Sequence, residues 1–254
     1  MGQRSEEKSS FTKSYRASTL EVRDVEADVE IQPGSGSEMV VTITGNKSGV
    51  DNIQPTLQQG GRLALSGKSS GRRVSGANVV ISVEGDISIN GRSGVSIVAG
   101  RSVVMGGSHA EADVKVRVEV PVGSAVQIAG VQGNVQVGDT NGAFSGSLLG
   151  DSNMSVGKVR DAQLSLQGSG DIRVGEVNGN LTMNIQGSGD IDVSRGTVPM
   201  LNVNVMGSGD ATFGGTATDA NLSVMGSGDI GVHHVKNRPN RSQMGSGDID
   251  VRNW

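Results

Sequence analysis

Five aspartates, Asp171, Asp190, Asp210, Asp229 and Asp248, each close a Gly-Ser-Gly-Asp peptide, at successive gaps of 19, 20, 19 and 19 residues. Carboxylates repeated at a fixed spacing are the one constellation in this chain able to do chemistry. Stacked oxygens are what a calcium ion takes, and a carboxylate pair about 5–10 Å apart is what glycoside hydrolysis needs. A column of acids about 5 Å apart repels itself unless cations, protons or hydrogen bonds offset the charge. Calcium-binding solenoids, however, carry Gly-Gly-x-Gly-x-Asp in nonapeptide repeats, whereas here each longer unit supplies one acid. Asn134 and Asn153 take the same place in earlier copies. A side chain that only accepts hydrogen bonds from nearby backbone N–H groups, as in an Asx-type turn, can be either residue. The ladder is therefore expected to build corners; calcium at Asp171, Asp190, Asp210, Asp229 and Asp248 is the functional alternative, and no other cofactor is expected.

The remaining candidates are weaker. The outward positions beside the ladder are Arg173, Asp192, Thr212, Gly231 and Asp250, which give no compact acidic pair. Aromatic surface for sugar stacking is scarce: Phe11, Tyr15, Phe144, Phe213 and Trp254 are the whole set. The histidines are His109, His233 and His234; the last two are neighbours, and neighbours on a strand face opposite ways, so they do not share a metal. There is no cysteine, which removes disulfides, thiolate catalysis and thiolate metal sites. The glycine-rich stretches lack the lysine-bearing phosphate-loop pattern. No catalytic residue is assigned and the chain is read as a non-enzyme. Met206, Met225 and Met244 form an outward column, read as packing under a neighbouring loop, with a sticky docking stripe as the other reading.

The elements that position these residues follow from the period. After Asp190, Ile191 and Val193 alternate with Asp192; a turn later, Leu201, Val203 and Val205 alternate with Asn202 and Asn204. Such a unit has two strands and two turns and cannot bury its apolar side chains alone. Stacking the units with equivalent strands parallel, about 4.8 Å apart, closes an aliphatic column. The expected fold is all-β: a parallel β-helix, or β-solenoid, with about 19 residues per coil. Residues 131–254 are the regular Gly-Ser-Gly-Asp part, and Arg241 and Gln243, at aliphatic sites of earlier coils, read as an end-cap turned to water. Upstream, 1–14 is a polar tail. Short alternating strands start near residue 15, with Pro33-Gly34, Gly45-Asn46 and Gly60-Gly61 as turns and no competing helical period. Residues 68–112 are a variable β-rich insertion containing Val79–Val83 and Val95–Val98. Val114, Val116, Val118 and Val120 form the buried face of a strand whose other face carries Asp113, Lys115, Arg117 and Glu119.

Composition narrows the rest. A net charge of −4 gives no reason to expect nucleic acid or an anionic membrane as partner. No run of about 18 apolar residues is present, so no segment spans a bilayer as a helix. The polar start, Met-Gly-Gln-Arg-Ser-Glu-Glu-Lys, has no apolar leader. The protein is cytoplasmic if Met1 is the native start.

The repeated Gly-Ser-Gly-Asp-Ile-x-Val, preceded by Asp28-Val29-Glu30-Ile31, Val40-Val41-Thr42-Ile43 and Gly61-Arg62-Leu63-Ala64-Leu65, resembles the putative auto-transporter adhesin head GIN domain family and the related β-strand-repeat putative adhesins. The resemblance covers roughly residues 15–254. It implies a right-handed β-helical domain at the bacterial cell envelope or outside the cell, assuming a leader was removed, and it carries over no catalytic residues. The expected function is a non-enzymatic structural or adhesive module binding a protein surface, a glycan or itself. An envelope-stress sensing ectodomain and a polysaccharide-active enzyme are the alternatives.

Overall fold

A computed structural model of the chain describes residues 8–67 and 114–254. The first stretch contains β1 (Lys8–Tyr15), β2 (Thr19–Arg23), β3 (Asp28–Gly34), β4 (Met39–Asn46), the short helix α1 (Lys47–Asn52), β5 (Ile53–Gln58) and β6 (Arg62–Gly67). The second runs through β7 (Val114–Pro121), β8 (Ala125–Ala129), β9 (Val135–Val137), β10 (Phe144–Gly150), β11 (Met154–Val159), β12 (Ala162–Gly168), β13 (Ile172–Val177) and β14 (Leu181–Gly187). It ends with β15 (Ile191–Gly207), β16 (Ala211–Gly226), β17 (Ile230–Val235), β18 (Asn240–Gly245) and β19 (Ile249–Asn253).

These strands stack as parallel ladders in two columns. One column is β2–β8–β10–β12–β14, then the second halves of β15 and β16, then β18. The other is β3–β9–β11–β13, then the first halves of β15 and β16, then β17 and β19. Each coil occupies about 19 residues, as the period required. Every second side chain points inward, and the inward rows are aliphatic: Leu164, Met183, Val203 and Leu222 in one column, Ile172, Ile191, Ala211 and Ile230 in the other, all buried. This is the β-solenoid.

The N-terminal end departs from the regular pattern. β2 and β3 form a coil directly beneath β8 and β9, although about ninety positions separate them in sequence. Antiparallel strands are added at this end: β4 on β7, β1 on β4, and β5 on β6. The expected tail over 1–14 is thereby corrected for its last residues. Lys8–Tyr15 pairs along the full length of β4, and Phe11 and Tyr15 pack on the core's edge. Its alternation was masked by Ser9 and Lys13, which share the face of Phe11 and Tyr15. Gly45-Asn46 is also not a simple turn: Asn46 caps α1, accepting from the Gly49 N–H at 2.8 Å. On β7 the buried valines and the exposed Lys115, Arg117 and Glu119 lie as the alternation required. The expected insertion over 68–112 lies outside the described residues.

At the C-terminal end, Arg241 pairs with Leu222 and Gln243 with Val224, so both sit in aliphatic rows, yet all of β18 is exposed. The Arg241 guanidinium lies 5.9 Å from the Trp254 ring centroid, a cation–π contact across the open end of the core. A charge in the inward row of an edge strand opposes pairing with another chain.

Candidate functional site

The Gly-Ser-Gly-Asp corner is explained atom by atom. The carbonyl of Gly187 accepts from the N–H groups of Ser208 and Gly209 in the next coil, at 2.9 and 3.2 Å, and the same fork recurs from Gly150 to Gly226. The serine points out. The second glycine lets two backbones touch: a Cβ on Gly209 would fall 2.1 Å from the Gly189 oxygen. The aspartate closes the step. Its Oδ1 accepts the backbone N–H of the aspartate one coil on, at 2.8 Å for Asp190 to Asp210, 2.8 Å for Asp210 to Asp229 and 2.7 Å for Asp229 to Asp248. In return, the N–H of the residue after each aspartate donates to the carbonyl of the next one, at 2.9 Å from Ile191 to Asp210. Asn153 does the same for Asp171 at 3.0 Å, and Asp28 for Asn134 at 2.9 Å.

The expected local Asx turn is therefore replaced by a bond between coils. The physical reason is that the strand ladder breaks at the corner and leaves one N–H per coil, which the side chain above satisfies. One carboxylate oxygen per coil is thus committed, which suits poorly an ion that wants six to eight oxygens. Asp171 further ion-pairs with Arg173 at 2.9 Å. We expect Asp190→Asn to leave stability within a few tenths of a kcal/mol, and Asp190→Ala to cost about 1 kcal/mol by orphaning the Asp210 N–H. Urea denaturation measures both, and excess calcium or chelator should leave the melting temperature unmoved.

A second stack, which the sequence reading passed over, lies on the opposite bend. Lys158, Glu176 and Arg195 are in register, and the Glu176 carboxylate accepts from Asn178 Nδ2 at 2.7 Å and Arg195 Nε at 2.9 Å, with Lys158 Nζ at 3.6 Å. Their recurrence at the repeat period was the available signal. The Asn178 amide, then Arg195, hold the Glu176 carboxyl below its ordinary range; Arg160 and the Asn180 N–H do the same for Asp161. A depressed carboxyl contributes stability above its unfolded pKa, near pH 4, and loses that contribution as pH falls through the folded value. Glu176→Gln should flatten the acid side of a melting-temperature profile below about pH 4 and change little at neutral pH.

The broad outer surface of the β8–β18 column is the remaining candidate. Its outward rows are Gln127, Ser145, Gln163, Thr182, Asn202, Asn221 and Asn240, and beside them Ser147, Ser165, Asn184, Asn204, Ser223 and Ser242. None of these side chains is charged. Asn221 Nδ2 donates to Asn202 Oδ1 at 2.9 Å and Asn240 Nδ2 to Asn221 Oδ1 at 2.8 Å, an amide ladder running along the axis. A shallow groove of about 340 Å³ lies between the two rows, with Val203, Leu222 and, at its C-terminal end, the charged Arg241 also lining it. The outward Met206, Met225 and Met244 flank it; Met225 and Met244 stay 52% and 66% exposed, so the expectation that a loop covers them is not met. No three of the described His, Asp and Glu side chains converge as a metal site, and no described helix is long and apolar enough to cross a membrane.

Residues 21–253 match the family described as putative auto-transporter adhesin, head GIN domain. Similar solved structures include a putative adhesin from Bacteroides fragilis NCTC 9343, 16% identical, covering 97% of this chain and 98% of that one, with a TM-score of 0.65. Another is a putative adhesin from Parabacteroides distasonis ATCC 8503, 14% identical, with the same coverages and a TM-score of 0.57. No curated protein matches the sequence.

Proposed function

The chain belongs to the putative auto-transporter adhesin head GIN domain family, and we propose that it is a non-enzymatic adhesive module of the cell surface or envelope whose docking face is the outer surface of the β8–β18 column, with its two uncharged outward rows. The observation that carries this reading is the pair of outward amide and hydroxyl rows, held in register over successive coils and flanking one groove. Asn240 spends one N–H on Asn221 and keeps a second N–H and its carbonyl for a ligand, whereas Asn202, which accepts from Asn221, keeps both of its N–H groups. An array that repeats every 4.8 Å or so suits an extended, neutral, hydroxyl-rich polymer lying along the axis, and a glycan has that chemistry. The absence of charge from both rows disfavours ionic partners by desolvation without compensation.

Two features support a binding role over catalysis. The ladder aspartates are hydrogen-bonded into the corners, and the outward row beside them places Thr212 and Gly231 between Asp192 and Asp250. The Arg241–Trp254 contact over the core's open end supports a module that meets other molecules through its side, not by stacking end to end.

A panel of immobilised neutral glycans tests the reading. Retention on at least one of them, abolished by Asn202→Lys with Asn204→Lys and kept by Arg173→Ala on the opposite column, is the expected result. Absence of retention on every neutral glycan, or retention indifferent to the asparagine substitutions, would refute it.

A further inference from the structure

Met206, Met225 and Met244 occupy one outward row on three consecutive coils, in register across β15, β16 and β18. The two coils above carry Gln186 and Gln167 at that same position, and the coil above those carries Leu149. Glutamine has nearly the length of methionine, so the row accepts a polar side chain and core packing does not call for an apolar one. What the exchange alters is the donor atom: a hard amide gives way to a soft thioether, three times running. The cost is exposed apolar surface, since Met225 and Met244 remain more than half accessible.

We propose that this column is a binding site for a soft monovalent d10 cation, Cu(I) or its redox-stable counterpart Ag(I), held by the three thioether sulfurs. Thioethers select such ions and are ignored by calcium, magnesium and other hard cations. Parallel strands set the three Cα atoms about 4.8 Å apart in a line. Three rotatable side-chain bonds let the outer sulfurs of Met206 and Met244 lean toward Met225, so that all three meet one ion. The backbone beneath is pinned at both sides of the row, by the strand ladder before it and by the Gly-Ser-Gly-Asp corner after it. Binding is therefore a matter of side-chain rotation. Met200, also on β15, has its sulfur engaged by Asn221 Nδ2 at 3.7 Å, and the borderline donors His233 and His234 belong to β17 in the opposite column.

Silver titration of the whole chain in chloride-free buffer, read by calorimetry and native mass spectrometry, decides the matter. The expected result is a single retained Ag(I) per chain, with the methyl resonances of all three methionines shifting together. Met225→Leu, which keeps the shape and removes the middle sulfur, should weaken binding roughly tenfold or more. Met225→Gln repeats the test with the residue the row already tolerates. His233→Ala with His234→Ala should leave affinity unchanged. Absence of retained Ag(I), wild-type affinity in both Met225 variants, or loss of binding in the histidine variant would each overturn the assignment.

Discussion

Gly207→Ala should destabilise the domain by at least about 3 kcal/mol, a large effect for the addition of one methyl group. Gly207 has φ of 133°, a region that residues with a Cβ rarely adopt. A Cβ there would fall 2.2 Å from the carbonyl oxygen of Gly187 in the coil above. That oxygen is unable to retreat, because the N–H groups of Ser208 and Gly209 both hold it. Strain and steric conflict thus add at one point, and relief requires separating two coils. Gly231→Ala is the internal control. Its nearest neighbour to an added Cβ is the Thr212 side chain at 4.0 Å, and its φ is not left-handed. There the substitution should be neutral or stabilise by up to about 1 kcal/mol through the unfolded chain. Urea denaturation of both variants makes the comparison, and equal midpoints would refute the corner geometry.

How much of this was legible in the sequence depended on whether the physics was local or between coils. The period and the alternation are local, and they placed Ile191, Val193, Leu201, Val203 and Val205 in the core, where they are buried. The exposed Arg241 and Gln243 were legible for the same reason, as breaks in an aliphatic row. The aspartates were recognised as corner-builders but given the wrong partner. An Asx turn and a bond to the next coil need the same acceptor, and only the superhelical rise brings Asp210 N–H over Asp190 Oδ1. The asparagine rows were visible, yet Asn240 joins the amide ladder through a register that becomes visible only once β18 is laid on β16. Strand direction at the N-terminal end was not legible either. Alternation is identical in parallel and antiparallel pairs, so nothing in Met39–Asn46 tells that it runs against β7 while β3 runs with it.

Phe144→Ala is expected to cost about 3–5 kcal/mol, the range for emptying a buried aromatic site, and the neighbouring glycine gives the substitution a diagnostic partner. Phe144 is 3% exposed and replaces the smaller Val126 and Ala162 of its own row. Two residues on, where Ile128 and Leu164 fill the adjacent inward row, stands Gly146. A Cβ on Gly146 would meet Phe144 Cε1 and Met154 Sδ, both at 2.8 Å, and no backbone atom appears among its nearest contacts. The ring therefore occupies volume that belongs to the next position, and the glycine is there because the phenylalanine is. Gly146→Ala alone should cost about 1–3 kcal/mol by overpacking. Phe144→Val with Gly146→Leu returns both rows to the Val126/Ile128 pattern of the neighbouring coil with the same number of side-chain carbons, and should lie within about 1.5 kcal/mol of the parent, whereas Gly146→Leu alone should cost more than Gly146→Ala. The two changes would then be coupled in the favourable sense, beyond what independent sites show. Additive losses in a double-mutant cycle would mean that the glycine answers to the backbone and that the two rows of this core pack independently.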